Sequence, residues 1–262
     1  MKFLELKDST TSCPYLPDRI FSAENFLAQN LSSDETDRLL ANGFRHFGTY
    51  YFRPVCEGCT RCVPLRVRMS GYKAGRSARR LFSANRDLVT TLGIPAASRI
   101  SFDLYRKHQH RFEQQSAGSY KHYVRAFFNH TFGNTQLSVF EGNDLVSVMH
   151  LDITGTSISA VYCYYDTDRA DRSLGTYSII QALALAVRNG SSMFYLGYAV
   201  AGNRHMGYKT RFRPNEFLSS EGWLPLYDES GVLQNNEKYT KGFPGTEFRS
   251  REPFTSILLA SD

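Results

Sequence analysis

Residues 136–166 read QLSVFEGNDLVSVMHLDITGTSISAVYCYYD. The stretch is rich in β-branched and aromatic residues and is broken at Gly142-Asn143-Asp144 and again at Thr154-Gly155-Thr156. Turn residues between strand-like runs imply three antiparallel strands in a meander. The period then changes. In residues 173–190, Ile180, Leu183, Ala184 and Val187 fall at helical spacing, with Ser173 or Thr176 able to cap and Gly190 able to terminate. Residues 192–200, SMFYLGYAV, read as a buried strand. A strand–helix–strand passage favours parallel neighbours, whereas a meander is antiparallel, so a mixed sheet in an α+β protein is expected. Residues 202–214 are too charged and irregular for a core.

Working outward, the clearest break ahead of this block lies at Gly93-Ile94-Pro95, followed by Ala96-Ala97-Ser98. Ser101 is then placed to cap a helix beginning at Phe102. The expected division is a smaller, cysteine-containing and basic N-terminal domain, residues 1–95, packed on a domain of residues 96–262. With 262 residues, one large or two modest domains fit the usual range. At 42% hydrophobic and 21% charged there is enough apolar material for a core. No apolar run reaches the length of a membrane span, and the acidic residues of MKFLELKDST leave no room for a signal peptide. A cytoplasmic protein without a membrane partner is expected.

The net charge of +6 is mild, but it is concentrated. Arg66, Arg68, Lys73, Arg76, Arg79, Arg80 and Arg86 crowd one segment; Arg204, Lys209, Arg211 and Arg213 crowd another. Aromatic residues interleave with them. Basic plus aromatic surface suits the ends of single-stranded nucleic acid, whose phosphates meet the charges and whose bases stack on rings. The plainer reading is solvated surface for the charges and core for the rings.

Five cysteines are too few and too uneven for a disulfide framework. Three of them form Cys56-x-x-Cys59-x-x-Cys62. Together with Cys13 they offer four thiolates, enough for structural zinc or an iron–sulfur cluster; equally, the sulfurs can pack without metal.

The order meander, helix, strand is also that of the central part of the GNAT acyltransferase fold, which resembles a GNAT-like mixed sheet with flanking helices in the C-terminal half. In that fold the turn into the helix carries a glycine pattern whose amides hold the pyrophosphate of CoA. Here Arg172 and Gly175 fit the pattern. Tyr177 departs from it, with a ring where a small residue is usual, which argues against CoA as donor and against a CoA-dependent N-acetyltransferase.

Several words, in order, then resemble the arginyl-tRNA–protein transferases and their bacterial aspartate/glutamate leucyltransferase branch. They are Cys13-Pro-Tyr-Leu16, Gly43-Phe-Arg45, Tyr51-Phe-Arg53-Pro54, the cysteine run continuing to Pro64-Leu65-Arg66-Val67, Ser77-Ala-Arg79-Arg80 and Asn85-Arg-Asp87-Leu88. Further along come Gly175-Thr-Tyr177-Ser178-Ile179, Tyr195-Leu-Gly197-Tyr198 and Met206-Gly-Tyr208-Lys209-x-Arg211-Phe-Arg213-Pro214. The resemblance spans residues 13 to 214. It implies an aminoacyltransferase that moves leucine, or arginine by the same chemistry, from a charged tRNA to the N-terminal amine of proteins beginning with Asp or Glu, tagging them for an N-degron pathway. A non-catalytic RNA-binding module held by the cysteines is the alternative of another class.

An aminoacyl-tRNA is already an activated ester, so neither a prosthetic group nor an enzyme nucleophile is required, and no Ser–His–Asp pattern stands out. The remaining tasks are orientation, removal of one proton and stabilisation of charge. Tyr198, Lys209 and His205, at a strand end and the loop after it, are the candidate catalytic residues. Arg76 and Arg80, four apart, would share a helix face and grip the acceptor's carboxylate, unless that helix is merely solvated. Arg172, Gly175, Tyr177, Tyr208, Arg211 and Arg213 are the candidates for the tRNA end and its aminoacyl group. If extended, Lys209, Arg211 and Arg213 would point one way. Tyr195 reads as core, Asp166 and Asp168 as loop carboxylates, and His108 and His110, in LYRKHQHRF, as part of an exposed helix.

Overall fold

The computed structural model describes residues 2–7, 10–112, 118–129, 132–200, 203, 205–242 and 253–259. Its N-terminal part is a small antiparallel sheet. In chain order it holds β1 (Lys2–Glu5), β2 (Thr10–Ser12), β3 (Ile20–Gln29), helix α1 (Ser33–Ala41), β4 (Arg45–Phe47) and β5 (Tyr50–Pro54). The sheet runs β1-β3-β5-β4, with β2 on the first residues of β3. Ser32 starts α1 with a capping box: its Oγ accepts from Glu35 N at 3.2 Å, and the Glu35 carboxylate accepts from Ser32 N at 2.6 Å.

The larger sheet takes β6 (Cys62–Arg68), and α2 (Arg76–Ala84) leads to its edge strand β7 (Leu88–Gly93). Helices α3 (Arg99–Gln109) and α4 (Tyr120–Phe127) precede the meander β8 (Asn134–Glu141), β9 (Asp144–Ile153) and β10 (Ser157–Tyr165). Then come α5 (Leu174–Arg188), β11 (Met193–Val200), β12 (Asn215–Ser219), β13 (Gly222–Tyr227), α6 (Asn236–Lys241) and α7 (Phe254–Leu259). The strand order is β13-β12-β6-β11-β10-β9-β8-β7. The expected meander, helix and returning strand are all present. α3 begins three residues earlier than expected, because Ser98 rather than Ser101 is the cap, and Ser101 answers it from the first turn.

Neighbouring β9 residues point to opposite faces. Met149 and Leu151 join Leu183 and Ala186 of α5 on one side. Val148 joins Phe102, Tyr105, Tyr123 and Phe127 of α3 and α4 on the other. β6 and β7 come from before residue 95, yet β6 lies between β11 and β12 at the middle of the sheet. Its alternate residues Val63, Leu65 and Val67 are buried. The large sheet is therefore built from both sides of the break at residues 93–98.

The end of the chain returns to the beginning. Phe254, Ile257 and Leu258 complete the small core around Phe26, Leu39, Phe44 and Tyr51. The Phe254 ring stacks on Phe26 with centroids 4.3 Å apart. Its amide donates to Glu24 Oε1 at 3.0 Å, while Glu24 Oε2 receives Nη2 of the fully buried Arg53 at 2.5 Å. Part of the polar tail thus has a structural task.

Candidate active site

β10 and β11 run parallel for only three residue pairs, Ser157–Ser159 against Met193–Tyr195. β10 then bulges between Ala160 and Tyr162, and β11 is offset against β6 between Tyr195 and Gly197. A bulge adds a residue to one strand and bends it. The two strands part, and a cavity of about 1140 Å³ opens between them. Phe47 and Phe52 of the small sheet, Tyr105 of α3, Phe127 of α4 and Tyr162 of β10 give it an aromatic wall. Arg111, His122 and Arg125 stand exposed at its mouth. No Asp or Glu lines it among the described residues.

At the point of divergence two cations meet Gly197. Arg45 reaches across from β4: Nη1 donates to Ser159 Oγ at 2.9 Å, and Nη2 to the carbonyl of Ala160 at the bulge. Lys209, in the 3₁₀ turn Gly207–Arg211, donates from Nζ to Tyr198 O at 2.9 Å. Gly197 holds φ at +80°, a left-handed conformation that side chains rarely adopt. A Cβ there would lie 3.5 Å from Lys209 Nζ and 3.6 Å from Arg45 Nε. Among the described residues no carboxylate pairs with either cation. Burial pulls Lys209 from the usual ammonium range down to about 7, and the neighbouring Arg45 adds to the pull. Burial likewise lowers Arg45, which Tyr198 and Asp152 partly offset.

Of the residues singled out in the sequence, Tyr198, His205, Tyr208, Lys209 and Gly175 come together on this cavity. The hydroxyl of Tyr198 donates to Gly43 O at 2.7 Å, so its single proton is committed and an oxyanion-donor role does not fit. His205 sits toward the mouth, with Arg111 Nη2 3.4 Å from its Nδ1 and Phe112 edge-on at 5.8 Å. Burial raises Tyr208, keeping its phenol protonated.

Other expectations change. Tyr177 is turned into the core at 2% exposure, bonded through its hydroxyl to Gln181 at 2.7 Å, because its helix face packs under α2 against Phe82. The ring at the α5 N-terminus is that of Tyr165, 2.6 Å from where a Cβ on Gly175 would stand. Arg172 is outside the cavity and bridges Asp87 and Glu141. Arg76 and Arg80 lie exposed on α2, whose inner face is Ala78 and Leu81; they do not line the cavity. The 3₁₀ turn breaks the expected alternation: Lys209 points inward, Arg211 is exposed, and Arg213 lies 3.5 Å over the Tyr227 ring. Arg204 falls outside the described residues. Asp166 and Asp168 pair with Lys107. Tyr195 is core, against Trp223.

Among the cavity-lining groups that the sequence reading did not place are two histidines. His108 is not exposed but 3% accessible, on the cavity wall, with Nδ1 accepting from Tyr165 N at 3.3 Å. Burial pushes it down to about 4, so it stays neutral. His46, one residue beyond Arg45, spends both ring nitrogens, facing Gly48 O at 2.9 Å and Asp152 Oδ2 at 2.6 Å. It ties the small sheet to β9.

Cys13, Cys56, Cys59 and Cys62 gather where the small sheet joins β6. Burial raises the Cys62 thiol, and Cys56, Cys13 and Cys59 add to the rise. Cys56 Sγ is engaged with Ser22, accepting from its amide at 3.3 Å and donating to its carbonyl at 3.5 Å. Among the described residues no group of three or more His, Cys, Asp or Glu is set to hold a metal ion. With Cys56 engaged by the Ser22 backbone and burial raising Cys56 and Cys62, the sulfurs do not form a ready ligand shell.

Residues 11–80 match the family described as "Arginine-tRNA-protein transferase, N terminus", and residues 100–219 match its C-terminal counterpart. The chain is 33% identical over 226 residues to an aspartate/glutamate leucyltransferase of Campylobacter jejuni, covering 82% of this chain and 92% of that one. It is 33% identical over 239 residues to the protein of that name from Granulibacter bethesdensis, 87% of each chain. Among solved structures, FemX aligns with a TM-score of 0.48 at 9% identity over 84% of this chain and 74% of that one. L-PGS from Bacillus licheniformis aligns with a TM-score of 0.42 at 13% identity over 57% and 50%. With both halves of the family matched in order, and relatives alike over most of their length, this chain belongs to the arginine-tRNA-protein transferase family, in its aspartate/glutamate leucyltransferase branch.

Proposed function

We propose that this protein transfers leucine from charged tRNA to the N-terminal amine of proteins beginning with Asp or Glu, marking them for an N-degron pathway. The observation that carries this reading beyond the family is the lining of the cavity. Its wall is aromatic and its charges are all positive, with no acid among the described lining residues. A leucyl side chain suits such a wall. An arginyl guanidinium would find no carboxylate partner there and would meet Arg45 and Lys209, which favours leucine over arginine.

The chemistry needs no covalent enzyme intermediate. The acceptor amine attacks the ester carbonyl carbon, the bond to the terminal ribose oxygen breaks, and the amine proton ends on that oxygen. A free α-amine has a pKa near 7.7–8.0, so an appreciable fraction is already unprotonated near neutrality. The enzyme supplies approach and an electropositive surround for the tetrahedral oxyanion. Arg111, with His205 and the ring of Tyr165, flanks the mouth where the 3′ end of tRNA enters; Tyr208 lies further in, and exposed Arg211 and Arg213 extend the positive approach. Lys209, half-buried and bonded to Tyr198 O, is with Arg45 one of two cations at the divergence of the strands. A charged tRNA as donor supports a cytoplasmic setting, and no helix of the described residues is long and apolar enough to cross a membrane.

The test is a transfer assay with labelled Leu-tRNA and Arg-tRNA side by side on a peptide starting with Asp. Label from Leu-tRNA alone is expected. Label from Arg-tRNA alone would overturn the leucyl assignment, and RNA binding without transfer from either would make the protein a binding module.

A further inference from the structure

Resting on that reaction, the structure raises a narrower question: what distinguishes an acidic first residue from a neutral one. Two exposed arginines on α2 do not reach the cavity. The two buried cations do. Arg45 and Lys209 have no acid partner among the described residues, yet each keeps surface toward the cavity. Burying one unpaired charge is costly, and burying two like charges side by side is more so. A fold that maintains such a pair has a vacancy for an anion. The two cations face the same side of Gly197, with Lys209 Nζ and Arg45 Nε and Nη2 each 3.5–3.7 Å from where a Cβ would stand, so a side chain there would crowd both cations and the space beside them.

We propose that Arg45 and Lys209 form the subsite for the side-chain carboxylate of the acceptor protein's first residue. Both cations are already oriented by fixed bonds, Arg45 by Ser159 and Ala160 on β10, Lys209 by Tyr198 on β11. Lys209 commits one of its three donors in this way, leaving two for a ligand. The size of the anion also follows. The subsite sits in the wedge between two strands at the inner end of the cavity, where a carboxylate on a short stem reaches. A phosphate inside a polynucleotide would have to carry the chain with it. The leucyl moiety brings an amine, which two cations repel, so it lies instead along the aromatic wall. Carboxylate in the wedge and leucyl ester against the rings bring the acceptor's α-amine between them.

The subsite predicts discrimination rather than turnover. In competition with Leu-tRNA as donor, peptides differing only in Asp or Asn, and in Glu or Gln, at the first position are compared. Lys209→Met should lower kcat/KM for the Asp and Glu peptides about tenfold to a hundredfold, the worth of a charge-assisted hydrogen bond. The Asn and Gln peptides should fall by much less, so the preference collapses. Arg45→Met should do the same; because Arg45 also braces β10, its folding is checked by circular dichroism, and Lys209→Met carries the test if it unfolds. Equal loss on acidic and neutral peptides would overturn the proposal and assign the pair to the oxyanion or a phosphate. If the wild-type protein transfers nothing, the proposed reaction fails first. Calorimetric binding of the Asp and Asn peptides to wild type and Lys209→Met then judges the subsite alone, and an Asp preference that survives the substitution overturns it.

Discussion

Replacing Lys209 by methionine should change how stability depends on pH. In the unfolded chain a lysine takes its proton near 10.4, whereas in the fold Lys209 does so near 7. Between these values the unfolded state holds more protons than the native one. Native stability therefore rises with pH in this window, by at most about 1.4 kcal/mol per unit for one group. Below about 7 the folded group is charged too, and the penalty of burying it is present in full. Integrated from pH 6.5 to 8.5, the relief comes to about 2 kcal/mol, because the folded amine is already partly neutral at the lower pH. Methionine has a similar reach and no charge, so the variant lacks this term. Urea unfolding at the two pH values, with unchanged m-values as a check on two-state behaviour, measures it. The variant's stability relative to wild type should be about 2 kcal/mol more favourable at pH 6.5 than at pH 8.5. A difference that does not move with pH would refute the reasoning, and would mean that the ammonium is hydrated or paired with an acid.

Gly175→Ala places a Cβ 2.6 Å from the Tyr165 ring, which must shift and take its bond to Arg111 with it. Steady-state kinetics should show a raised KM for Leu-tRNA and an unaltered KM for the acceptor peptide. Phe254→Ala removes a ring that is 3% exposed and stacked on Phe26, and should cost about 3 kcal/mol or more in chemical denaturation. Arg76→Ala and Arg80→Ala, on the outer face of α2, should leave the preference for Asp over Asn untouched in the competition assay; a collapsed preference would return the acceptor subsite to that helix.

How far the sequence could be read depended on the range of the interactions involved. The meander, α5 and β11 announce themselves through period and turn residues, which are local. β6 does not: Val63, Leu65 and Val67 alternate with Pro64, Arg66 and Arg68, directly after a cysteine run that invites a loop reading. Its place at the middle of the large sheet comes from partners more than a hundred residues away. Arg45 is hidden for the same reason, since its bonds go to Ser159 and Ala160. The spacing of Arg76 and Arg80 correctly gives a shared helix face, but not what that face looks at; Ala78 and Leu81 on the other side decide it. His108 was within reach. Tyr105, His108 and Phe112 follow the three- and four-residue steps of a buried stripe, and the flanking Arg106, Lys107 and Arg111 drew attention away from it.

The contact between α7 and the small sheet sets a timetable for synthesis. A chain leaves the ribosome N-terminus first, and domains generally fold as they emerge. Here the first sheet to emerge waits for Phe254, Ile257 and Leu258 before its core is closed. Arg45, which guards the wedge, belongs to that sheet. A nascent or prematurely ended chain can therefore hold the meander and α5 without a finished cavity. The core beneath Arg45 is complete only once Phe254, Ile257 and Leu258 have docked on it.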